Sequence, residues 1–147
     1  HDAQEPVGFR FNTGHDGDLF TPRRSLTFLT DLGHVPQHIR EHIRGANVVV
    51  IESNHCSELL KADLKRPWSL KQRLSGRHGH LSNEAARALL AEVACPQWRR
   101  IYLTHLSRDC NSRDAVERMF ADLRVTLSGC EFSIVCQGES TPIYDCV

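Results

Sequence analysis

The sequence predicts an α/β domain in which a β-sheet packs against helices. Short apolar runs of strand length alternate along the chain with longer runs that carry a helical stripe. Residues 48–51 are apolar at consecutive positions, which is typical of a strand covered on both faces. The 147 residues, of which 40% are hydrophobic, are enough to close one core. We therefore expect a single domain over residues 1–147.

The amino-terminal part of the chain predicts two strands and a helix. One strand is expected over residues 7–11 and a second over residues 25–30, with a glycine-containing turn at residues 14–17. The two strands should form a hairpin or lie side by side. Helical spacing, with a proline in the first turn, predicts a helix over residues 36–44, and Gly45 should end it.

A buried strand occupies the middle of the predicted fold. It covers residues 47–51 and runs directly into a polar cluster at residues 52–55. In α/β proteins, the carboxyl ends of buried strands are where binding and catalytic groups lie. Two short helices are expected to follow, over residues 57–64 and 69–74.

The remaining elements are a long helix, a strand, a second helix and a last strand. Ser82 or Asn83 is the expected cap of the long helix, whose apolar stripe consists of Ala86, Leu89, Leu90 and Val93. The strand is predicted over residues 100–104, the second helix over residues 112–123 and the last strand over residues 131–136.

Composition and charge exclude several classes of function. Eighteen Lys and Arg balance eighteen Asp and Glu, so no global field attracts nucleic acid or membranes, and any such site must be a local patch. No apolar run approaches the ~20 residues that a membrane helix needs, and we expect no membrane partner. The six cysteines include no CxxC pair, which predicts reduced thiols and a cytoplasmic protein.

Histidine is abundant, and three predicted strands end in side chains suited to metal chemistry. Nine histidines are more than a neutral domain of this size needs, which indicates metal or proton chemistry. The strand-end residues are Asp31, Glu52 and His105. Each alone could simply close a turn or cap a helix. Together they offer ligand types that zinc accepts, and a carboxylate can bridge two cations.

Short segments of the chain, in their order and spacing, resemble one protein family. They are His1-Asp2-Ala3 with Gly8-Phe9, Thr30-Asp31-Leu32-Gly33, Glu52-Ser53-Asn54-His55, Leu70-Lys71-Gln72-Arg73-Leu74, Gly79-His80-Leu81-Ser82-Asn83 and His105-Leu106-Ser107. The sequence resembles the metallo-β-lactamase-fold phosphodiesterases of the YycJ (WalJ/VicX) type from His1 to about Gln137. The resemblance implies part of an αββα sandwich, with a mixed sheet packed against helices.

The resemblance also implies a site. His1, Asp31 and His105 look like metal ligands, with Asp31 as the carboxylate that bridges two cations of zinc or manganese. Glu52 and His80 look like the acid and histidine that related nucleases place beside the scissile phosphate. In such a pair the carboxylate would hold the imidazole protonated, so that it neutralises phosphate charge and protonates the leaving oxygen.

The implied activity is metal-dependent phosphodiester hydrolysis, as a 5′-to-3′ exonuclease on DNA, in which a metal-bound hydroxide attacks phosphorus. Residues 61–77 are basic and contain Trp68, which suits the ends of single-stranded DNA. A solvated helical surface with Trp68 packed inward would give the same pattern. The residues expected to contact substrate are His55, Ser82, Asn83, Lys71 and Arg73.

The chain departs from the family pattern in three places. The His-x-His-x-Asp-His motif, which supplies most ligands of the first metal, does not occur in these 147 residues. We therefore expect the chain to be the carboxyl-terminal part of a longer protein and to bind metal poorly in isolation. Cys56 and Cys110 stand where relatives usually carry Asp and Asn, and no role is predicted for either.

Two alternatives remain open at this stage. The first is hydrolysis of a small cyclic or nucleotide phosphodiester, for which substrate binding would depend only weakly on salt. The second is a non-catalytic fragment that lacks the first metal motif and serves as an oligomer or partner-binding module. An oligomer is compatible with each reading.

Overall fold

The computed structural model describes residues 6–14, 17, 20 and 23–145, and every element expected from the sequence occurs in that part of the chain. The element bounds differ from the sequence expectation by at most three residues. In chain order they are β1 (Phe9–Thr13), β2 (Arg24–Leu29), α1 (Gln37–Arg44), β3 (Val48–Glu52), α2 (Ser57–Ala62), α3 (Trp68–Leu74), α4 (Asn83–Glu92), β4 (Arg100–Thr104), α5 (Arg113–Thr126) and β5 (Glu131–Ile134).

The strands form one mixed sheet in the order β1-β2-β3-β4-β5. β1 pairs antiparallel with β2, which confirms the expected neighbouring pair, and Phe9 lies opposite Phe28. The other three pairings are parallel. Parallel neighbours need a crossover connection, and the helices of the chain supply these crossovers. The carboxyl ends of β2, β3 and β4 consequently lie at one edge of the sheet.

Helices α1, α4 and α5 pack against a single face of the sheet. Right-handed crossovers that move in one direction along a sheet place their helices on the same side. That face carries Val49, Ile51, Ile101 and Leu103, which are all fully buried in one core with residues of the helices. The helical members of this core are Ile43, Ala86, Leu89, Leu90, Val116, Phe120 and Leu123.

The opposite face of the sheet is apolar and largely open at its β1 edge. Phe9, Phe11 and Phe28 are 54%, 59% and 38% exposed, and the rings of Phe9 and Phe11 stack with centroids 6.3 Å apart. Side chains alternate between faces along a strand, so these rings point away from the helices. The Arg100 guanidinium lies over the Tyr144 ring at 4.5 Å, which places the tail after β5 near β4.

Capping residues fix the helix ends that matter for the site. Ser82 and Ser112 each accept a hydrogen bond from a backbone amide three residues later, which starts α4 and α5 as expected for N-cap serines. At the carboxyl end of α1, Arg10 donates hydrogen bonds to the carbonyl oxygens of His42 and Gly45. A cation at a helix carboxyl terminus satisfies free carbonyls and the helix dipole.

Two further findings, on membrane helices and on thiols, concern the described residues only. None of the helices in that part of the chain combines the length and the apolar character that crossing a membrane requires. The five described cysteines are free thiols: Cys56, Cys95, Cys110, Cys130 and Cys136.

Candidate metal centre

Four side chains that can bind metal meet at the carboxyl edge of the sheet. Asp31 lies just after β2, Glu52 is the last residue of β3, and His105 follows β4 directly. His80 reaches the same place from the loop between α3 and α4. One ligand atom from each of the four lies within 4.8 Å of the others. These residues are the ones that the sequence assigned to metal binding and catalysis within the described part of the chain.

The Glu52 carboxylate is fully buried and holds the backbone of two loops. Oε2 accepts the amide of Asp31 at 3.1 Å, and Oε1 accepts the amides of Leu32 and Leu81 at 2.8 and 2.9 Å. Buried polar groups need such partners, because an unpaired carboxylate away from water is very costly. Glu52 therefore ties the loop after β2 to the loop before α4.

The same carboxylate orients two imidazole rings. The Nδ1 atoms of His80 and His105 lie 3.0 and 3.1 Å from Glu52 Oε2. The ring centroids of the two histidines are 5.2 Å apart. His105 Nε2 lies 3.8 Å from Asp31 Oδ1. When Nδ1 donates to Glu52, the Nε2 atom of each ring is left to face a ligand or substrate.

The site shifts the pKa values of its members in opposite directions. Burial by itself raises the pKa of the Glu52 carboxyl, but hydrogen bonds from His105, His80 and the amides of Leu81 and Leu32 outweigh burial and lower it from the ordinary 4.5 to about 2. The hydrogen bond to Glu52 raises the pKa of His105 above its ordinary value, against the effect of burial. The geometry thus stabilises a carboxylate with an imidazolium partner.

Two glycines allow close backbone contacts in the loops of the site. A Cβ on Gly33 would lie 2.2 Å from the carbonyl oxygen of Gly76, and a Cβ on Gly79 would lie 2.1 Å from that of Leu74. Neither contact is tolerable for a side chain, so only glycine fits. At Gly33 the close approach brings the Asp31 loop and the His80 loop together, whereas at Gly79 the His80 loop turns back on the end of α3.

The donor set fits a divalent transition-metal cation. A carboxylate and imidazole nitrogens are ligands that zinc and manganese accept. Each histidine presents Nδ1 to a buried carboxylate, which is the support that metal-binding histidines commonly have. Glu52 has no room for a cation of its own, because its two oxygens already accept five hydrogen bonds. The residues that fit a metal are therefore Asp31 and His105, with His80 beside them.

Two asparagine amides, those of Asn54 and Asn111, join the backbone segments next to the site. Asn54 Nδ2 donates to the carbonyl oxygen of His105 at 2.8 Å, and the Asn54 carbonyl accepts the Ser107 amide at 2.7 Å. Asn111 Nδ2 donates to the carbonyls of Ser53 and Asn54 at 2.8 and 3.0 Å. These bonds clamp the ends of β3 and β4 together, and the sequence had not singled out Asn54 or Asn111 for this role.

The candidate ligands open into a groove of about 410 Å³. Its walls include Arg66, which belongs to the basic segment predicted to meet nucleic acid, and Arg108 and Gln137, which the sequence did not assign to the site. Arg66 is paired with Asp63 and Asp109 at 2.8 and 2.9 Å, whereas Arg108 donates its Nε hydrogen to Gln137 Oε1. Arg108 and Gln137 follow the ends of β4 and β5, and their position at that edge is the signal that could have found them.

Three residues expected to contact substrate have other partners in the structure. Ser82 Oγ accepts the amide of Ala85 at 3.1 Å as a helix cap. Asn83 is buried, and Ser53 Oγ donates to its Oδ1 at 2.7 Å. Lys71 Nζ donates to the carbonyl oxygens at the end of α2, those of residues 61 and 63. None of the three lines the groove, and their contact with substrate stays a prediction.

The other predicted residues divide between the site and its surroundings. Arg73 is exposed on α3, and His55 is buried next to the site but lines a separate cavity. The predicted ligand His1 lies outside the described residues. Of the two cysteines that depart from the family pattern, Cys110 is buried, and burial raises the pKa of its thiol. The Cys110 carbonyl accepts the amide of the other, Cys56, at 2.9 Å.

Comparison with known proteins identifies the family. The sequence matches the family described as "Beta-lactamase superfamily domain" over residues 1–106. It is 38% identical over 114 residues to Exodeoxyribonuclease YycJ of Bacillus anthracis, a match that covers 78% of this chain and 40% of that protein. It is 32% identical to Exodeoxyribonuclease WalJ of Streptococcus pneumoniae, over 78% of this chain and 39% of that protein. The chain spans about two fifths of the length of these relatives.

Two solved structures resemble the fold. The metallo-β-lactamase fold protein YhfI from Bacillus subtilis aligns with 90% of this chain and 48% of its own, with a TM-score of 0.47 and 14% identity. A diphosphatase from the PhnP family aligns with 64% of this chain and 29% of its own, with a TM-score of 0.40 and 16% identity. Because the family match covers most of its length, the chain belongs to the β-lactamase superfamily and forms part of a metallo-β-lactamase fold.

Proposed function

We propose that the chain is the carboxyl-terminal part of a metal-dependent phosphodiester hydrolase that acts on nucleic acid. One observation carries the proposal: Asp31, His80 and His105 converge on the buried carboxylate of Glu52 at the floor of a groove with arginines in its walls. Ligands for a cation and charges for a phosphate thus lie side by side.

The metal ligands would be Asp31 and His105 from this part of the chain, together with His1. A first metal motif upstream of the present sequence would complete a dinuclear site for zinc or manganese. When bound, such cations supply Lewis-acid stabilisation to a phosphate and lower the pKa of a water molecule toward neutrality. Glu52 orients His105 by accepting its Nδ1 hydrogen. It also fixes the backbone of Asp31 by accepting the Asp31 amide hydrogen.

The remaining imidazole would act on the substrate. His80 gives Nδ1 to Glu52 Oε2 at 3.0 Å and is only 10% exposed in its side chain. In its protonated form the Nε2 hydrogen would neutralise charge on the phosphate and then pass to the leaving oxygen. The Glu52 carboxylate compensates the positive charge that His80 carries while it does so.

The substrate would be DNA. Two relatives of the chain are exodeoxyribonucleases by name, YycJ and WalJ, which supports this choice. Arg108 at the rim of the groove, with Arg73 on the nearby helix α3, would meet phosphates of a single strand. The family resemblance suggests degradation from the 5′ end, and the free thiols agree with action in the cytoplasm.

The test is a nuclease assay on the full-length protein that contains this chain, with zinc or manganese added after chelation. The substrates are single strands labelled at the 5′ or the 3′ end, and bis(p-nitrophenyl) phosphate serves as a small phosphodiester. We expect labelled 5′ mononucleotides to appear first. Asp31→Asn should abolish turnover and lower metal content, and His80→Ala should lower turnover at unchanged metal content.

A surface histidine gives the matched control. His38 is exposed on α1, away from the groove, and His38→Ala should leave both turnover and metal content unchanged. Turnover of the small diester without turnover of DNA, and with little dependence on salt, would replace the nuclease by a small-molecule phosphodiesterase. Full DNA turnover by Asp31→Asn would refute the assignment of the site, and metal-free protein without any turnover would favour an interaction module.

A further inference from the structure

A cavity separate from the groove lies on the opposite side of helix α3. It has a volume of about 200 Å³ and is enclosed by α2, α3 and the end of the loop after β3. We call it the Trp68 cavity. Its lining residues are His55, Ser57, Leu60, Lys61, Trp68, Lys71, Gln72 and Ser75.

The walls of the Trp68 cavity suit a flat, largely apolar group. Leu60 forms a buried wall, and the Trp68 side chain is 66% exposed at the start of α3. None of the lining residues is acidic, while Lys61 brings a positive charge. A ring system attached to a phosphate chain would therefore meet an aromatic surface and no repulsion.

His55 closes the inner wall and leaves a hydrogen-bonding atom unused. It is only 2% exposed, and its Nδ1 is buried without a hydrogen-bond partner in the described part of the chain. Burial lowers the pKa of His55 from its ordinary value, which favours the neutral imidazole. Buried polar atoms nearly always have partners, and an exception marks a place where a ligand or water completes the set. This second observation points to a binding site.

Helix α3 is the partition between the Trp68 cavity and the groove. Leu70 and Leu74 face the groove, whereas Trp68 and Gln72 face the cavity. The two sites are therefore separated by about one helix diameter, ~10 Å. His55 also lies only three positions after Glu52 in the chain. One polynucleotide strand could occupy both sites.

We propose that the Trp68 cavity binds one nucleobase of the strand whose phosphate lies in the groove. The proposal rests on the proposed function, since it takes the substrate to be nucleic acid. The cavity is below the ~300 Å³ at which pockets for drug-sized ligands begin, so it fits one planar ring rather than a whole nucleotide. Trp68 would stack on the base, and Gln72 would hydrogen-bond to its edge.

Lys71 has a supporting part in this arrangement. Its ammonium group binds the carbonyl oxygens of Lys61 and Asp63 and so holds the end of α2 against α3. The sequence suggested that Lys71 contacts substrate directly. In this proposal it keeps the cavity open instead.

Intrinsic fluorescence can test the proposal directly. The chain has two tryptophans, and Trp98 is fully buried with its Nε1 bound to the carbonyl of Ile43. In the full-length protein, a change in emission that is lost in Trp68→Phe therefore reports on Trp68. We expect deoxyadenosine monophosphate to quench this emission, whereas deoxyribose 5-phosphate, which has no base, should leave it unchanged.

Strand binding supplies the second measurement. Trp68→Ala should weaken the binding of a short single strand by at least about fivefold, and Trp68→Phe should restore most of it, because stacking survives in phenylalanine. The affinity for an abasic strand of the same length should be the same in all three proteins. Leu64→Ala is the matched control, because Leu64 is 98% exposed nearby and does not line the cavity.

Each contrary outcome has one meaning. Equal quenching by deoxyribose 5-phosphate, or equal weakening of the abasic strand by Trp68→Ala, would overturn the nucleobase site. Normal binding of strands by Trp68→Ala would do the same and would leave the proposed function standing. Failure of every strand to bind, with turnover of a small phosphodiester intact, would overturn the proposed nucleic-acid substrate and this proposal with it.

Discussion

Asp31 and His105 share a left-handed backbone conformation, with φ of 61° and 59°, at the ends of the two strands that flank β3. Such values are uncommon for residues other than glycine and cost about 1–3 kcal/mol each. Both residues are bonded to the same atom, Glu52 Oε2, at 3.1 Å, one through its amide and the other through its ring. The buried carboxylate therefore holds two candidate ligands in conformations that they would not adopt alone.

Glu52→Gln should destabilise the chain by about 3 kcal/mol or more. The amide has one acceptor oxygen and a donor group where five donors now converge, so several hydrogen bonds are lost in a buried place. Urea denaturation with chelator present measures the effect. Glu92→Gln is the control, because Glu92 forms a surface ion pair with Arg40 and should cost under about 1 kcal/mol. Equal stability of the two variants would refute the role of Glu52.

Acid should remove the contribution of Glu52 over a defined range of pH. The pKa of about 2 in the folded chain lies below the ordinary 4.5, so the carboxylate stabilises the fold fully above pH 4.5 and loses this effect as the pH falls toward 2. The loss is on the order of 3 kcal/mol. Equilibrium unfolding at several pH values should give a gap between the native sequence and Glu52→Gln that narrows on acidification. A gap that stays constant would contradict the assignment.

The imidazoles of His105 and His55 should titrate in opposite directions from the ordinary 6.5. The hydrogen bond to Glu52 raises the pKa of His105, whereas burial lowers that of His55. Proton NMR titration of the metal-free chain, with assignment by substitution, should find His105 charged at pH values where His55 is neutral. Glu52→Gln should bring His105 back toward 6.5. The reverse order of titration is incompatible with the hydrogen bonds described.

Asn54→Ala should affect metal affinity more than stability. Asn54 holds the carbonyl of His105 at 2.8 Å from outside the ligand set, and loss of one such hydrogen bond costs about 1 kcal/mol of folding free energy. Losing the orientation of a ligand typically lowers metal affinity by about 10-fold or more. Calorimetric titration with zinc measures the affinity of Asn54→Ala. The control is Asn12→Ala, because Asn12 is exposed on β1. Similar affinities of both variants would show that Asn54 does not position His105.

Gly33→Ala should be poorly tolerated. The new methyl group would lie 2.2 Å from the carbonyl oxygen of Gly76, so the Asp31 loop must move away from the His80 loop. We expect a loss of about 2 kcal/mol in thermal or urea unfolding, together with weaker metal binding. Gly129→Ala meets no atom within 4 Å and should change the stability by less than about 0.5 kcal/mol. Comparable losses for both would mean that glycine is needed for flexibility rather than space.

Much of the fold was predictable because its signals are local. The strand at residues 100–104 has the bounds expected from its alternating side chains, and the consecutive apolar residues of β3 gave its central place. Helix α5 runs three residues beyond the expected end at residue 123, because no strong stop residue follows there. The period of the hydrophobic residues predicts that a helix is present, but it does not determine at which residue the last turn of the helix ends.

The site was predictable where a residue's place in the chain already fixed its place in the sheet, or where the family resemblance implied the residue, as it did for His80. Asp31, Glu52 and His105 end parallel neighbours, and the pairing of Glu52 with His80 was expected and is present. The bond of the same carboxylate to His105 depends on rotamers and sheet register. The place of Arg108 in the groove depends likewise on tertiary packing, which no spacing encodes.

The parallel order of β2, β3 and β4 also sets when this site can form during folding. Its hydrogen bonds join positions 21, 28 and 53 residues apart. Contacts so distant in sequence form slowly, because the chain loses loop-closure entropy before they contribute any energy. Partly folded chains therefore lack the shared acceptor that aligns the two imidazoles. In a zinc finger the cation drives folding. Here we expect the opposite order, in which a cation binds only after the sheet has formed.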